Sequence, residues 1–233
     1  PSGATIADGT ATGTIVANGL LAGCPTDDTT TQKYVCRIYH DVLDRTPDAD
    51  GKAYWVDRID GGEPRLPIMS SFLTRAESRQ VAVERLYQLY LGRDGDPAGV
   101  AYWAEQLHQG VSTDVIRAHL LASGELFTSS GGTNETWVKA VYQAIFRRTA
   151  DDGGVAYWVG RVEAGQSRLA VVSAMIATTE GRNHVVIEAY QRFLDRSPTD
   201  GELSAGRPLV AEGGEVLLDA QLLASDEYRA GPT

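Results

Sequence analysis

Three turns of this 233-residue chain concentrate aspartates, whose carboxylates are oxygen ligands of the kind that calcium prefers. The candidate ligands are Asp48, Asp50, Asp94, Asp96, Asp151 and Asp152. Each turn offers only two carboxylates and lacks the long loop, closed by a glutamate, of the common calcium-binding helix pair. An aspartate just before a helix also accepts hydrogen bonds from the free backbone amides of the first turn. We therefore expect these residues to cap helices, and calcium is the one cofactor that the sequence leaves open.

A Tyr–Trp pair follows each of these turns and could form a stacking surface for a sugar ring. The pairs are Tyr54–Trp55, Tyr102–Trp103 and Tyr157–Trp158. Aromatic residues repeated at helical positions are more often core anchors, each burying about 150–250 Å². Adjacent helical residues point about 100° apart, so one ring can enter the core while the other lies between repeats. We predict core or inter-repeat contacts, with glycan contact as the alternative.

Nothing in the sequence marks a catalytic centre. The four histidines, His40, His108, His119 and His184, are scattered without metal-ligand spacing. There is no Gly-x-Ser-x-Gly elbow, no Gly-rich phosphate loop and no zinc-protease helix. No pair stands out among the 31 acidic residues as the acid and base of a hydrolase. We predict no enzymatic activity and no catalytic residue.

One spacing between opposite charges recurs along the chain. In three cases an arginine and a glutamate are 32 residues apart, and in the fourth they are 31 apart. The pairs are Arg45–Glu77, Arg93–Glu125, Arg148–Glu180 and Arg196–Glu227. A guanidinium group binds a carboxylate through two parallel hydrogen bonds. We predict ion pairs that clamp the end of the first helix of each repeat to the end of the third.

These residues all belong to a repeat whose arginines are spaced by 48, 55 and 48 residues. Each arginine follows a stripe of apolar residues at i, i+3, i+4, i+7 and i+8, which indicates one face of an α-helix. The second helix carries the Tyr–Trp pair and ends at Gly62, Gly110 or Gly165. A third apolar helix ends in the glutamate. The fourth copy lacks Tyr–Trp, as expected of a terminal repeat without a further neighbour.

The predicted fold is all-α, with four tandem three-helix repeats in a compact or gently arched array and an extended N-terminal arm. The segments are the arm 1–32, repeat 1 at 33–80, repeat 2 at 81–127, a Gly/Ser loop at 128–135, repeat 3 at 136–183 and a degenerate repeat 4 at 184–233. The loop is the candidate flexible joint.

Charge and cysteine content narrow the class of protein. A net charge of −10 argues against nucleic acid and against anionic membrane surfaces. No apolar run approaches the roughly 20 residues of a membrane span.

Cys24 and Cys36 favour a disulfide made in an oxidising compartment, with two free thiols as the alternative. The start at Pro1 fits a mature form whose signal peptide was removed, and equally a trimmed chain.

The repeat motif is most complete in the second copy. It consists of Tyr87, Arg93, Asp96, Gly99, Tyr102, Trp103, Gly110, Ser123 and Glu125. This pattern resembles the repeats of bacterial domain-of-unknown-function family 4214 and is more distantly similar to phycobilisome linker domains. The resemblance covers residues 33–230 as four copies. It implies a part of a secreted or surface-attached bacterial protein, often beside calcium-binding or adhesive modules, and it implies no particular activity.

The function that we predict is a non-enzymatic, secreted or cell-surface interaction or structural module, with self-assembly as one form of that interaction. The alternative is a lectin-like glycan-binding module that uses the Tyr–Trp surfaces, with or without calcium. A hydrolase acting on glycans is third. The expected partners are other protein subunits, including copies of this chain, or cell-surface glycans, without nucleic acid or membrane insertion.

Overall fold

The computed structural model describes residues 15–16, 20–21, 24–25, 27–212 and 214–231. The strands β1 (Ile15–Val16) and β2 (Leu20–Leu21) pair antiparallel, with Ile15 opposite Leu21. Most of the predicted arm lies outside the described residues, and the first helix begins at Thr30, inside the segment assigned to the arm.

The described part of the chain holds fourteen helices. They are α1 (Thr30–Leu43), α2 (Ala49–Asp60), α3 (Arg65–Leu73), α4 (Ala76–Leu91), α5 (Pro97–His108), α6 (Thr113–Leu121), α7 (Gly124–Ser129), α8 (Asn134–Phe146), α9 (Asp152–Glu163), α10 (Arg168–Ile176), α11 (Thr179–Leu194), α12 (Asp200–Ala211), α13 (Glu215–Ala224) and α14 (Asp226–Ala230). The predicted all-α repeat fold is confirmed. None of the helices in these described ranges has the length and apolar character needed to cross a bilayer.

The helices of each repeat follow the predicted order. The stripe helices are α1, α4, α8 and α11; the second helices are α2, α5, α9 and α12; the third helices are α3, α6, α10 and α13. The apolar stripe residues are buried, except that Leu91 and Leu194 are half-buried, because each first helix packs against the second helix of its own repeat. Gly62, Gly110 and Gly165 have φ values of 86°, 87° and 92° directly after the second helices, where a side chain would be strained.

The sequence predicted that the glutamates of the clamps end the third helices, and this prediction was wrong. Each lies in the first turn of the following helix, where the helix dipole favours a carboxylate. The Ser or Thr before three of these turns caps the new helix, as Ser123 does by accepting from Leu126 N at 3.1 Å. The glutamates therefore mark the first turn of the following helix and not the end of the third helix.

The predicted segment boundaries shift for the same reason. The borders 80/81 and 183/184 fall inside α4 and α11, which run without a break from the glutamate turn into the stripe helix. The predicted loop 128–135 overlaps the end of α7 and the start of α8. The inserted residues of this loop separate α7 from α8, whereas the corresponding segment of repeats 2 and 4 is one continuous helix, α4 or α11.

The four repeats close on one another instead of forming an open array. One core joins the helices of repeats 1 and 4, and a second core joins those of repeats 2 and 3. Helix α3 packs against α13 and α6 against α10, while α1 contacts α4 and α8 contacts α11. The expectation that repeat 4 has no further neighbour was wrong, because its third helix lies against that of repeat 1.

The closed arrangement has approximate twofold symmetry between α1–α7 and α8–α14. Tyr34 on α1 donates its hydroxyl hydrogen to Leu223 O at 2.7 Å, and Trp137, at the equivalent place on α8, donates its indole N–H to Leu121 O at 2.9 Å. Helix α14 packs on α1 as α7 packs on α8. Repeat 4 therefore packs against repeat 1 through contacts equivalent to those that repeat 2 makes with repeat 3.

Candidate functional site

All four predicted Arg–Glu pairs form. The Nε–Oε1 distances are 2.5 Å for Arg45–Glu77, 2.5 Å for Arg93–Glu125, 2.6 Å for Arg148–Glu180 and 2.5 Å for Arg196–Glu227. A second hydrogen bond from each guanidinium makes the pairing bidentate. Because the glutamates begin the next helix, each pair clamps the turn after a first helix to the start of the helix that follows the third.

A tyrosine ring lies beneath each of these guanidinium groups. The ring centroids of Tyr39, Tyr87, Tyr142 and Tyr190 lie 5.0, 5.2, 5.3 and 5.1 Å from the Cζ atoms of their arginines. The motif Tyr-x5-Arg therefore encodes a cation–π contact together with the ion pair.

The tryptophan and a glycine of the motif complete this cluster in the first three repeats. The indole N–H of Trp158 donates to the Tyr142 hydroxyl at 3.2 Å. The tyrosine hydroxyl in turn lies against a glycine in the first turn of the second helix. A Cβ on Gly99 would lie 2.6 Å from the Tyr87 hydroxyl oxygen, so a larger residue there would force the ring or the helix turn to shift. The same close approach occurs at Gly51 and Gly154.

The clamps change the ionisation of their own groups. Hydrogen bonds from the arginines hold the pKa of Glu77, Glu125, Glu180 and Glu227 below the usual range. Burial raises the pKa of the tyrosines Tyr39, Tyr87 and Tyr190. The clamps of repeats 1, 2 and 4 are therefore charged pairs on neutral rings at physiological pH.

The fourth repeat replaces two members of this cluster. Glu202 stands where the other repeats have glycine, and it accepts from Arg196 at 2.7 and 2.9 Å. Hydrogen bonds, first from Arg196 and then from the Thr199 amide, lower the pKa of Glu202 to about 2. Gly206 stands where the others have tryptophan, and a Cβ on it would lie 2.8 Å from Val186 Cγ2. Helix α12 therefore approaches α11 directly instead of through an indole.

The three Tyr–Trp pairs divide between the core and the surface. Trp55 and Trp158 are buried and Trp103 is half-buried. The neighbouring tyrosines Tyr54, Tyr102 and Tyr157 are 50%, 56% and 59% exposed. In every pair the two ring centroids are 4.9 Å apart in an edge-to-face arrangement. Trp55 and Trp158 take the predicted core position, Trp103 lies at the edge of the core, and the three tyrosines lie at the surface.

The acidic turns act as caps in this structure. Asp48, Asp96 and Asp151 accept from Gly51 N, Gly99 N and Gly154 N at 2.7, 2.8 and 2.8 Å. Those backbone hydrogen bonds lower the pKa of Asp48 and Asp151. Asp94 accepts from Gln88, and the remaining candidates, Asp50 and Asp152, lie in the first turns of α2 and α9. Calcium binding at these turns stays a prediction.

Cys24 and Cys36 form a disulfide with a Cα–Cα distance of 6.2 Å. His40 lies one helical turn after Cys36 on α1, and one of its ring nitrogens and the two sulfur atoms all lie within 4.8 Å of one another. Within the described ranges this is the one group of three residues suited to hold a metal ion. In the sequence His40 is one of four scattered histidines, yet the Cys36-x3-His40 spacing places both side chains on one helix face.

Two buried charged residues occupy equivalent positions on α6 and α13, and no sequence pattern singled them out. Arg117 on α6 is 3% exposed and donates to the Tyr90 hydroxyl at 2.6 Å and to Asp114. Asp219, at the equivalent position on α13, is 8% exposed and lies 3.7 Å from Arg192. Burial raises the pKa of the Asp219 carboxyl. These residues differ between the two halves, so no repeated pattern points to them.

The fold and its clamps define a helical-repeat protein in which four copies of one unit are joined by Tyr–Arg–Glu clusters. The chain belongs to the family described as domain of unknown function DUF4214, whose model matches residues 24–81, 77–123 and 117–185. Most of the fourth repeat lies beyond the matched segments, which end at residue 185. Searches of curated proteins and of solved structures gave no match.

Proposed function

We propose that this chain is a non-enzymatic interaction module, secreted or held at the cell surface, that binds other protein subunits, including its own copies. The observation that carries the proposal is the exposure of Tyr54, Tyr102 and Tyr157 at the same position of three repeats. Tyrosine is enriched in protein interfaces because its ring buries apolar area while its hydroxyl keeps a polar partner.

The surroundings of these tyrosines favour binding because they hold the rings in place. Each exposed ring is braced edge-to-face by its tryptophan neighbour. Arg58 donates to the Tyr54 hydroxyl at 3.1 Å, and Arg161 lies over the Tyr157 ring. A side chain that is already fixed loses little conformational entropy on association. The disulfide supports the extracellular location, since such bonds persist mainly in oxidising compartments.

Light scattering over a concentration series tests self-association directly. We expect the mass of the wild-type chain to rise with concentration, and the triple variant Tyr54→Ser, Tyr102→Ser, Tyr157→Ser to stay monomeric. The matched control replaces three exposed apolar residues of the third helices, Leu66→Ser, Val115→Ser and Leu217→Ser, and should associate like the wild type. A wild-type chain that remains monomeric at the highest concentration would contradict self-assembly.

The second candidate is glycan binding through the same tyrosines. It is favoured by the polar groups beside two of the rings: Arg58 Nε lies 2.6 Å from Glu63 Oε2, and Arg161 Nε lies 2.7 Å from Gln166 Oε1. An exposed ring next to such planar hydrogen-bonding groups can stack on a sugar and bind its hydroxyls. A glycan array probed with the wild type and the triple tyrosine variant, with and without calcium, separates the two candidates.

A hydrolase remains the third candidate. The larger of the two best-defined grooves among the described residues has a volume of about 180 Å³ and includes a single carboxylate, Asp114. Glycoside hydrolysis normally uses two carboxylates across the scissile bond. Burial raises the pKa of Asp114 despite its ion pair with Arg117, but the groove offers no second carboxylate to act with it.

A further inference from the structure

The surroundings of the disulfide contain a third ligand type. Cys36 is 1% exposed on α1, and Cys24 and His40 are half-buried beside it. The two sulfur atoms and the imidazole nitrogen lie within 4.8 Å of one another. Around a tetrahedral zinc ion, with bonds of about 2.3 Å to sulfur and about 2.0–2.1 Å to nitrogen, such donors are separated by about 3.5–3.8 Å. A small movement after cleavage of the S–S bond would bring the three atoms to those distances.

We propose that reduction of the Cys24–Cys36 disulfide creates a zinc site in which two thiolates and the His40 imidazole are the protein ligands. A Cys2His set leaves the fourth tetrahedral position to water or to an external ligand. Thiolate and imidazole donors select zinc over calcium or magnesium. Two thiolates also neutralise the charge of the ion, which suits a site with one fully buried ligand.

The segment that carries Cys24 is held near α1 by contacts other than the disulfide. Asp28 forms an ion pair with Lys52 on α2. Thr29 caps α1 by accepting from Gln32 N at 3.2 Å, and Thr31 donates to Asp60 at 2.7 Å. These contacts do not depend on the oxidation state of the cysteines. Contacts on both sides of Cys24, of β2 with α1 and of Asp28 with Lys52, limit the movement of Cys24 away from Cys36 and His40 after reduction.

The proposed conversion balances with a low-molecular-weight thiol as the reductant. Two molecules of that thiol supply two electrons and two protons and leave as their own disulfide, while the S–S bond opens to two thiols. Zinc binding then displaces the two thiol protons to solvent. The metal and the S–S bond exclude each other, so the site is available only in the reduced chain.

Cobalt(II) titration of the reduced chain tests the proposal. The chain is reduced with a phosphine in the absence of oxygen, and the phosphine is removed before Co²⁺ is added. We expect one equivalent to give intense tetrahedral ligand-field bands with thiolate-to-cobalt charge transfer, and Zn²⁺ to displace it. The oxidised chain should give neither signal.

Variants identify the ligands. Cys24→Ser should lose the charge-transfer spectrum of two thiolates, and His40→Asn should weaken Co²⁺ binding by about tenfold or more. His108→Asn changes an exposed histidine on α5 and should bind like the wild type. Circular dichroism of the oxidised His40→Asn chain establishes that it is folded. Failure of the reduced wild type to bind Co²⁺ or Zn²⁺, or unchanged binding by a folded His40→Asn chain, would overturn the proposal.

Discussion

The glycine beside the clamp tyrosine in the first three repeats shows how one residue can influence the geometry of a whole cluster. In the second repeat, Gly99 lets the Tyr87 hydroxyl approach the first turn of α5. A Cβ at this position would lie 2.6 Å from the Tyr87 hydroxyl oxygen, so either the ring beneath Arg93 or the first turn of α5 would have to shift. The glycine is therefore as much a part of the clamp as the charged residues.

Gly99→Ala should lower the free energy of unfolding by about 1–3 kcal/mol, because the new Cβ would lie 2.6 Å from the Tyr87 hydroxyl. Urea denaturation measures the change. Gly160→Ala is the matched control, since that glycine lies within α9 with no atom within 4 Å of the added Cβ. The control should gain about 0.5–1 kcal/mol from its higher helix propensity. Equal effects at the two positions would contradict the steric argument.

The buried Asp219 carboxyl should make stability fall as pH rises. Its pKa is raised above the ordinary value of 3.8 by burial, so the folded state holds a proton that the unfolded state releases. The stabilising contribution is complete below pH 3.8 and is lost as pH rises through the folded pKa. Asp219→Asn should therefore raise the midpoint of thermal unfolding at neutral and alkaline pH, with little change near pH 4.

Asp50→Asn, at an exposed position in α2, is the control and should not change the pH profile. A loss of stability in Asp219→Asn at every pH would instead show that the pairing of Asp219 with Arg192 outweighs the desolvation of the carboxylate.

At the scale of the helices, the sequence predicted most of the order and some of the ends. The apolar stripes and the glycines after the second helices located seven helices, because periodicity and a required positive φ both depend on residues that are close in the sequence. The start of the next helix at Glu77 was missed, because a glutamate after an apolar run can end one helix or begin another. The hydrogen bond that marks a helix start, such as the one that the Thr178 side chain accepts from Gly181 N at 3.0 Å, cannot be deduced from the apolar pattern of the sequence.

The fourth clamp should be the most sensitive to acid. Arg196 binds both Glu227 and Glu202, and the pKa of Glu202 is lowered from 4.5 to about 2. A lowered carboxyl pKa stabilises the folded state above pH 4.5, and this contribution is lost as pH falls towards 2. Because both groups are partly exposed, we expect Glu202→Gln to cost only about 1 kcal/mol at pH 7.

The difference between Glu202→Gln and the wild type should vanish near pH 2, as followed by thermal unfolding across the acid range. Glu163→Gln, at the exposed end of α9, serves as the control. A difference that persists unchanged to pH 2 would mean that packing, and not the charge of Glu202, stabilises the start of α12.

At the scale of the molecule, closure of the ring was beyond the sequence analysis. The contact of α3 with α13 joins segments far apart in the chain, and no periodicity marks which third helices meet. The arginine spacing of 48, 55 and 48 residues is consistent with the two related halves, since the long interval lies between them. The spacing does not predict that α14 packs against α1.

The return of α14 to α1 predicts energetic coupling between the two ends of the chain. Tyr34 on α1 and Tyr228 on α14 meet edge-to-face with ring centroids 5.8 Å apart, and both rings are buried. A double-mutant cycle of Tyr34→Leu and Tyr228→Leu, measured by urea denaturation, should give an interaction energy of about 0.5–1.5 kcal/mol. The control cycle pairs Tyr34→Leu with Phe146→Leu in the other core and should be additive within about 0.5 kcal/mol. If the Tyr34–Tyr228 cycle is equally additive, α14 does not close the ring in solution.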